Sequence, residues 1–429
     1  MKSLIPSPSP EGEGSHPLPL GEGRVREIVI LHYSVPPIVG GVESVIAHHA
    51  RLMSAGGHSV RLIAARGDSL GEKIPLTILP LADSRHARVA EMKSQLDRGE
   101  VTADFESLRD ELAEQLQTAL SGVDILIAHN ICSLNKNLAL TAALYQLHTA
   151  RKLPRLILWH HDLAWTTPRY QNELHEGYPW DLLKTAWTDA TQVTISEMRQ
   201  DELSDLMKID KSQIHVIPNG VDLGKFLKLE EQTLSYIKKL DLLQASPLIL
   251  LPVRITSRKN IELALRALAA LRIDLPSAQM IVTGPLGPHN PANLQYFEKL
   301  RALREELGIK NSVHFLAELT NEYISDEVIS DFYKLADALL FPSFEEGFGI
   351  PILEAGFAGI PVFCSDILPL KKLGGEFAGY FSPDENPDAV AKMMADYFNK
   401  NKVFGLRKSV REHFTWERIY AEKIAALLK

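Results

Sequence analysis

Two doubly wound α/β domains in tandem are what this sequence predicts, and three observations carry the prediction. Short apolar runs alternate with amphipathic stretches from Glu27 onward. The alternation breaks off around 218–246 and then restarts. The chain has 429 residues, too many for one core at roughly 100–200 residues per domain. Strands that read as continuous apolar runs between helices indicate parallel sheets covered on both faces.

In the first half, "EIVILHY" (27–33) reads as a buried strand and "GGVESVIAHHARLMSAG" (40–56) as a helix closed by Gly56-Gly57. "SVRLIAA" (59–65) is a strand, 85–120 a long helix-prone region, and "VDILIAHN" (123–130) the next strand. Helix 136–149, strand "RLILWHH" (155–161), a loop, strand "TQVTIS" (191–196), a helix and "QIHVIPNG" (213–220) complete the set. Pro218-Asn219-Gly220 is a turn signal and a natural hinge. In the second half, strands at 247–253, 278–284, 313–317, 337–343 and 361–365 alternate with helices at 259–273, 293–308, 325–336, from 351, and 387–398. The expected organisation is 1–24 as a disordered extension, 25–218 and 219–412 as the two domains, and 413–429 as a last helix able to pack back on the first.

Composition narrows the function. A net charge of −8 argues against nucleic acid as the main partner, because phosphate backbones select basic surfaces. There is no charge-free run of ~18 apolar residues of the kind a membrane span needs. Cys132 and Cys364, the two cysteines, read as buried thiols of a cytoplasmic protein. The first two dozen residues are rich in Pro, Gly, Ser and Glu and hold no apolar signal-peptide core.

In open parallel sheets ligands bind beyond the carboxyl ends of the strands. Four places there draw attention. Gly40-Gly41 opens a helix after the first strand, where free N–H groups suit a phosphate or sugar hydroxyl. Neither G-x-G-x-x-G nor a P-loop is present, which disfavours a nicotinamide oxidoreductase. Arg254 ends a strand of the second domain and Lys259 opens the following helix. A cation there opposes the helix dipole but suits a pyrophosphate. The stretch "FPSFEEGFGIPILEAGFAGIPVFCSD" (341–366) places Glu346 and Glu354 around a glycine-rich turn in an apolar segment. Pro351 suits a helix start, putting Glu354 in the first turn. Carboxylates accept from paired hydroxyls, while backbone at Gly347, Phe348, Gly349 and Ile350 can approach a ligand, with the Phe348 ring expected to pack beneath.

This stretch resembles the donor-site signature of the retaining GT-B glycosyltransferases of family 4. Glu346 and Glu354 match its E-x7-E pattern, whereas Glu345 has the wrong spacing. The resemblance runs from about residue 27 to the C-terminus and takes in Gly40-Gly41, "VIPNGVD" (216–222), the Arg254/Lys259 pair and the Trp416 helix. It implies a GT-B fold, two Rossmann-like domains facing across a cleft, with a nucleotide-diphosphate sugar as co-substrate and no cofactor. The position of Glu354 would meet the ribose, that of Glu346 the sugar hydroxyls, and Arg254 and Lys259 the departing diphosphate. No metal is then needed, in keeping with the missing D-x-D. One departure is Pro252-Val253 where the family usually has a glycine before the arginine.

The long loop 159–187, rich in Trp, Tyr and His, is where an acceptor would be chosen. His161, in preference to His160, is expected to face the site, near the donor sugar's C6 hydroxyl in the family. Asp162, Arg169, Tyr170, His175, Tyr178 and Trp180 are candidate acceptor contacts, with rings for sugar faces and Arg for an anion. Alternatively the aromatic rings pack the loop onto the sheet. His129 and Asn130, and Ser196 and Glu197, end neighbouring strands; Ser196 serves equally well as a helix N-cap. The expected activity is retaining transfer of a hexose, from GDP-mannose or UDP-glucose, to a hydroxyl of a polar, soluble acceptor. A membrane-associated glycan or lipid pathway, with peripheral membrane association, and a sugar phosphorylase or sucrose-synthase-like activity are the alternatives.

Overall fold

The computed structural model describes residues 24–286, 291–320 and 322–429; the N-terminal extension expected to be disordered lies outside the described residues, apart from Arg24. The chain divides into two compact units, one ending at Gly220 and rejoined by Trp416–Lys429, the other Val221–Thr415.

The first unit carries β1 (Glu27–Leu31), α1 (Gly41–Ala55), β2 (Ser59–Ala64), β3 (Leu76–Ile78), α2 (Ala87–Leu96), α3 (Ala103–Ala119), β4 (Ile125–His129), α4 (Leu138–Thr149), β5 (Arg155–His160), β6 (Thr191–Thr194), α5 (Glu197–Met207) and β7 (Ile214–Val216). Its sheet has the order β3-β2-β1-β4-β5-β6-β7, with every pairing parallel. Strand order reverses between β1 and β4, where Ile28 pairs with Ile125. One face packs on α3 and α4 through Phe105, Leu112 and Leu140; the other packs on α1 through Ile46 and Met53.

The second unit follows the same scheme: α6 (Leu223–Leu227), α7 (Glu231–Leu240), β8 (Leu248–Leu251), α8 (Ile261–Asp274), β9 (Gln279–Val282), α9 (Pro291–Glu306), β10 (Val313–Phe315), α10 (Asp326–Leu335), β11 (Ala338–Phe341), α11 (Ile350–Ala358), β12 (Val362–Ser365), α12 (Leu368–Gly374), β13 (Ala378–Phe381), α13 (Pro387–Lys400) and α14 (Lys402–His413). The order is β10-β9-β8-β11-β12-β13, again all parallel. The reversal falls between β8 and β11. Asp337 anchors the start of β11: it is buried, accepts from the Leu248 amide, and is clamped by both guanidinium nitrogens of Arg411. Both sheets are therefore doubly wound and Rossmann-like.

Several elements differ from the sequence expectation. The helix-prone region 85–120 is two helices, separated where Gly99 takes a positive φ. β3 and β13 read as loops because edge strands are short and half-exposed and lack an apolar run. The stretch 223–240, without a clean period, forms α6 and α7. The last helix is present but changes type along its length: α15 (Trp416–Ile419) continues through a π-helical stretch at Tyr420–Ile424 into α16 (Ala425–Leu427).

That segment belongs to the core of the first unit. Trp416, Ile419, Tyr420, Ile424 and Leu428 cluster with Ile30, Ile46 and Ile127. The Trp416 ring stacks on His48 at 5.1 Å, and a side chain at Gly220 would collide with it. Replacing Trp416 by Ala should cost the first unit about 3–5 kcal/mol, the usual toll for a buried aromatic. Hydrogen exchange at the β1 and β4 amides measures this directly; unaltered protection there would detach the C-terminal segment from that core.

Candidate active site

At the switch point of the second sheet, the loops after β8 and β11 lie side by side. Asn260 adopts the left-handed conformation (φ 52°) and donates to the Pro383 carbonyl at 2.8 Å, which turns the chain from a short 3-10 segment into α8. This puts Lys259 inside the loop rather than on its surface. Its Nζ forms an ion pair with Glu346 Oε1, both side chains 9% exposed, and lies 5.3 Å from the centre of the Phe341 ring. Two further bonds hold the loops together: the Phe344 amide to the Arg258 carbonyl at 2.9 Å and Arg258 Nη1 to the Glu345 carbonyl at 3.4 Å. Glu345 itself is exposed, so Glu346 is the acid turned inward. A charge pair this buried is held against a desolvation cost of several kcal/mol per ion, which marks the position as one kept for charge.

Arg254, earlier in the loop after β8, is exposed and forms no ion pair among the described residues. Its backbone is shaped by Gly284, at the end of β9: any side chain there would run into the Val253 carbonyl. The sequence reading had no signal for Gly284, since a lone glycine ending a strand is common. In the loop Gly347–Ile350, Gly347, Phe348 and Ile350 are exposed, whereas Gly349 (φ 109°) is buried against Leu370 and caps α11 without any side-chain bond. Phe348 is 56% exposed, so its ring does not pack beneath the loop as expected. α11 starts at Ile350, which places Glu354 in its second turn rather than the first. Glu354 is exposed and accepts a 2.6 Å hydrogen bond from Tyr333, a buried residue of α10 that no motif pointed to.

In the first unit, the carboxyl ends of β1, β4 and β5 gather a cluster of histidines. His129 and His161 share a hydrogen bond, Nδ1 to Nε2, at 3.0 Å. The His129 carbonyl accepts from His32 Nδ1 at 2.8 Å. Asn130, left-handed at φ 56°, accepts from the amides of both His161 and Asp162 and thereby fixes the β5 end. His160 points the other way, to Gln192 Oε1 at 2.8 Å. Burial pushes His161 down to about 3 and His32 and His160 to about 4, so His161 is a neutral imidazole near pH 7.

Gly40 is the N-cap and Gly41 the first residue of α1, whose N-terminus has no side-chain cap. Glu43 curls back over Gly40 and accepts from the Ser34 hydroxyl at 2.7 Å. That carboxylate sits in the first turn, where the reading placed a phosphate or sugar. The acceptor candidates scatter. Trp180 is 2% exposed, packs edge-on to His175 and belongs to the core, so it supports the loop and presents no ring. Tyr178 rests edge-on against Phe105 of α3, with Arg109 within 3.4 Å of its hydroxyl. Arg169 lies exposed over the Tyr170 ring. Asp162 pairs with Arg199 at 3.5 Å, and Ser196 is the N-cap of α5, accepting from the Arg199 amide. Ser196 thus has a structural task, while Asp162 and Arg199 pair with each other and His161 pairs with His129. Among the described residues, no three His, Cys, Asp or Glu side chains are grouped to hold a metal ion, and no helix is long and apolar enough to cross a membrane.

Comparisons with known proteins agree with this geometry. Residues 39–225 match the family described as Glycosyltransferase Family 4, and residues 234–413 match Glycosyl transferases group 1. A mannosylglucosylglycerate synthase of Petrotoga mobilis is 26% identical, over 81% of this chain and 84% of that protein. An MMP alpha-(1->4)-mannosyltransferase of Mycolicibacterium hassiacum is 24% identical, over 94% and 98%. A glycosyltransferase structure from Rickettsia africae aligns over 94% of this chain and 97% of that one, at 16% identity and a TM-score of 0.36, too low to build on.

The histidine cluster makes stability sensitive to acid. In the unfolded chain these groups titrate near ~6.5. In the fold, burial holds His49 down to about 3, and its two ring nitrogens lack partners. The unfolded state therefore takes up protons first, so the stability held above pH ~6.5 is lost as pH falls toward 4 and then 3. His49→Leu should leave the melting temperature at pH 7.5 unchanged or raised, and should flatten its decline between pH 6.5 and 4. Parallel melting curves for the two proteins across that range would refute the assignment.

Proposed function

The chain belongs to glycosyltransferase family 4, and on that premise we propose that it transfers a hexose from a nucleotide-diphosphate sugar to a hydroxyl of a polar acceptor, with retention of anomeric configuration. The observation that carries the proposal is the buried Lys259–Glu346 ion pair, with the exposed Arg254 earlier in the same loop after β8. An incoming diphosphate is a stronger partner for Lys259 than one carboxylate. Binding would draw Lys259 onto the phosphates, with Arg254 as a fork, and release Glu346 to accept from the sugar hydroxyls. The two cations then stabilise charge that develops on the leaving diphosphate, and the reaction needs no metal.

The loop backbone at Gly347, Phe348, Gly349 and Ile350 would approach the sugar and β-phosphate, and Glu354 would accept from the ribose. In the first unit, neutral His161 would meet a sugar hydroxyl, with His129 behind it; Gly40, Gly41, Asp162, Arg169 and Tyr170 would border the substrates. The acceptor hydroxyl attacks the face that the diphosphate leaves, and a diphosphate oxygen takes its proton. The protein positions the partners and stabilises charge. Both relatives carry a mannosyl group in their names, which favours GDP-mannose over UDP-glucose as donor.

The test is a panel of GDP-, UDP- and ADP-sugars read by thermal shift and by donor hydrolysis, with wild type and Glu346→Gln. One donor should raise the melting temperature through native-state binding. Its turnover should persist in EDTA and fall at least about 100-fold in the variant, the scale of one lost transition-state contact. Absence of any response to nucleotide-sugars would defeat the proposal; turnover abolished by EDTA would defeat its metal-free part.

A further inference from the structure

Tyr333 occupies an unusual place for a phenol. It lies on α10, the helix before β11, with its ring in the core of the second unit and only 4% of its surface exposed. Its hydroxyl emerges at one point, 2.6 Å from Glu354 Oε2 on α11. Burial, and after it the neighbouring carboxylate, push the phenol far above its ordinary range, so it stays protonated and donates. Glu354 is on the exposed side of this bond, and Tyr333 is its hydrogen-bonding partner in the fold.

We infer that Tyr333 is a positioning residue, which holds the Glu354 carboxylate in the orientation that reads the two hydroxyls of a ribose. An exposed glutamate is free to sample several rotamers, and ordering it on binding costs affinity. The Tyr333 bond removes that freedom beforehand. It occupies Oε2 from the protein side and leaves Oε1, with the outward lone pairs of both oxygens, to accept from a vicinal diol. A buried ring is a rigid donor, since packing fixes its rotamer, so the carboxylate is aimed by the core rather than by the loop. The inference rests on the reading of Glu354 as the ribose ligand.

The experiment is calorimetric titration of GDP, UDP and their 2′-deoxy counterparts into wild type, Tyr333→Phe, Glu354→Gln and the double variant, with melting temperatures as a folding control. Wild type should prefer the ribonucleotide by about 10-fold or more, the scale of hydrogen bonds to a charged group. Tyr333→Phe should cut that preference to a few-fold and should weaken the 2′-deoxy nucleotides less than the ribonucleotides, since only their 3′-hydroxyl is left to be read. Glu354→Gln should abolish the preference, and adding Tyr333→Phe to it should change nothing more. If Tyr333→Phe keeps the full preference while Glu354→Gln abolishes it, Tyr333 merely packs and the inference is overturned. If Glu354→Gln keeps the preference, or neither nucleotide binds, the ribose reading fails first and the inference falls with it.

Discussion

A parallel sheet covered on both faces has one geometric consequence on which everything else here rests. Each strand must be reached by a crossover through a helix, so all strands run one way and their carboxyl ends collect at one edge. Where the strand order reverses, two neighbouring loops leave in opposite directions and open a crevice. In the second unit those loops follow β8 and β11 and bring Lys259 and Glu346 together across more than eighty residues of sequence. In the first unit the ends of β1, β4 and β5 bring His32, His129 and His161 together by the same rule.

The two sites handle polarity differently. The second unit buries a full ion pair, Lys259 with Glu346, and leaves Arg254 in water. The pair is neutral as a unit, so the loop tolerates it. The first unit buries imidazoles that remain uncharged because burial lowers their pKa. A neutral imidazole donates or accepts without bringing a net charge to the site, which suits sugar hydroxyls. One unit buries paired charge and the other buries neutral polarity.

Much of this was legible in the residues. Alternating apolar runs gave both sheets, because a doubly covered strand excludes polar side chains along its length. Glu346, Glu354, Arg254 and Lys259 stood out because charges in apolar or dipole-opposed settings need a reason. The period of a strand lets only one of His161 and His160 face a site, and the structure sends the two rings to different partners, His129 and Gln192. Edge strands β3 and β13 escaped because three or four half-exposed residues carry no period. Trp180 and Phe348 were misjudged for a related reason: an aromatic ring in a loop packs or presents itself according to neighbours far along the chain.

Sequence by itself determined the fold class, the two-domain division and the residue types that bear chemistry, since these follow from local periodicity and from charges set against their surroundings. Only the tertiary structure decided the partners. The pairing of Lys259 with Glu346, the hold of Tyr333 on Glu354, the space left by Gly284 for the Val253–Arg254 backbone and the return of Trp416 to the first unit all join positions distant in the chain. No spacing along one strand or helix encodes such contacts; they exist because parallel crossovers and close packing bring those side chains within reach of one another.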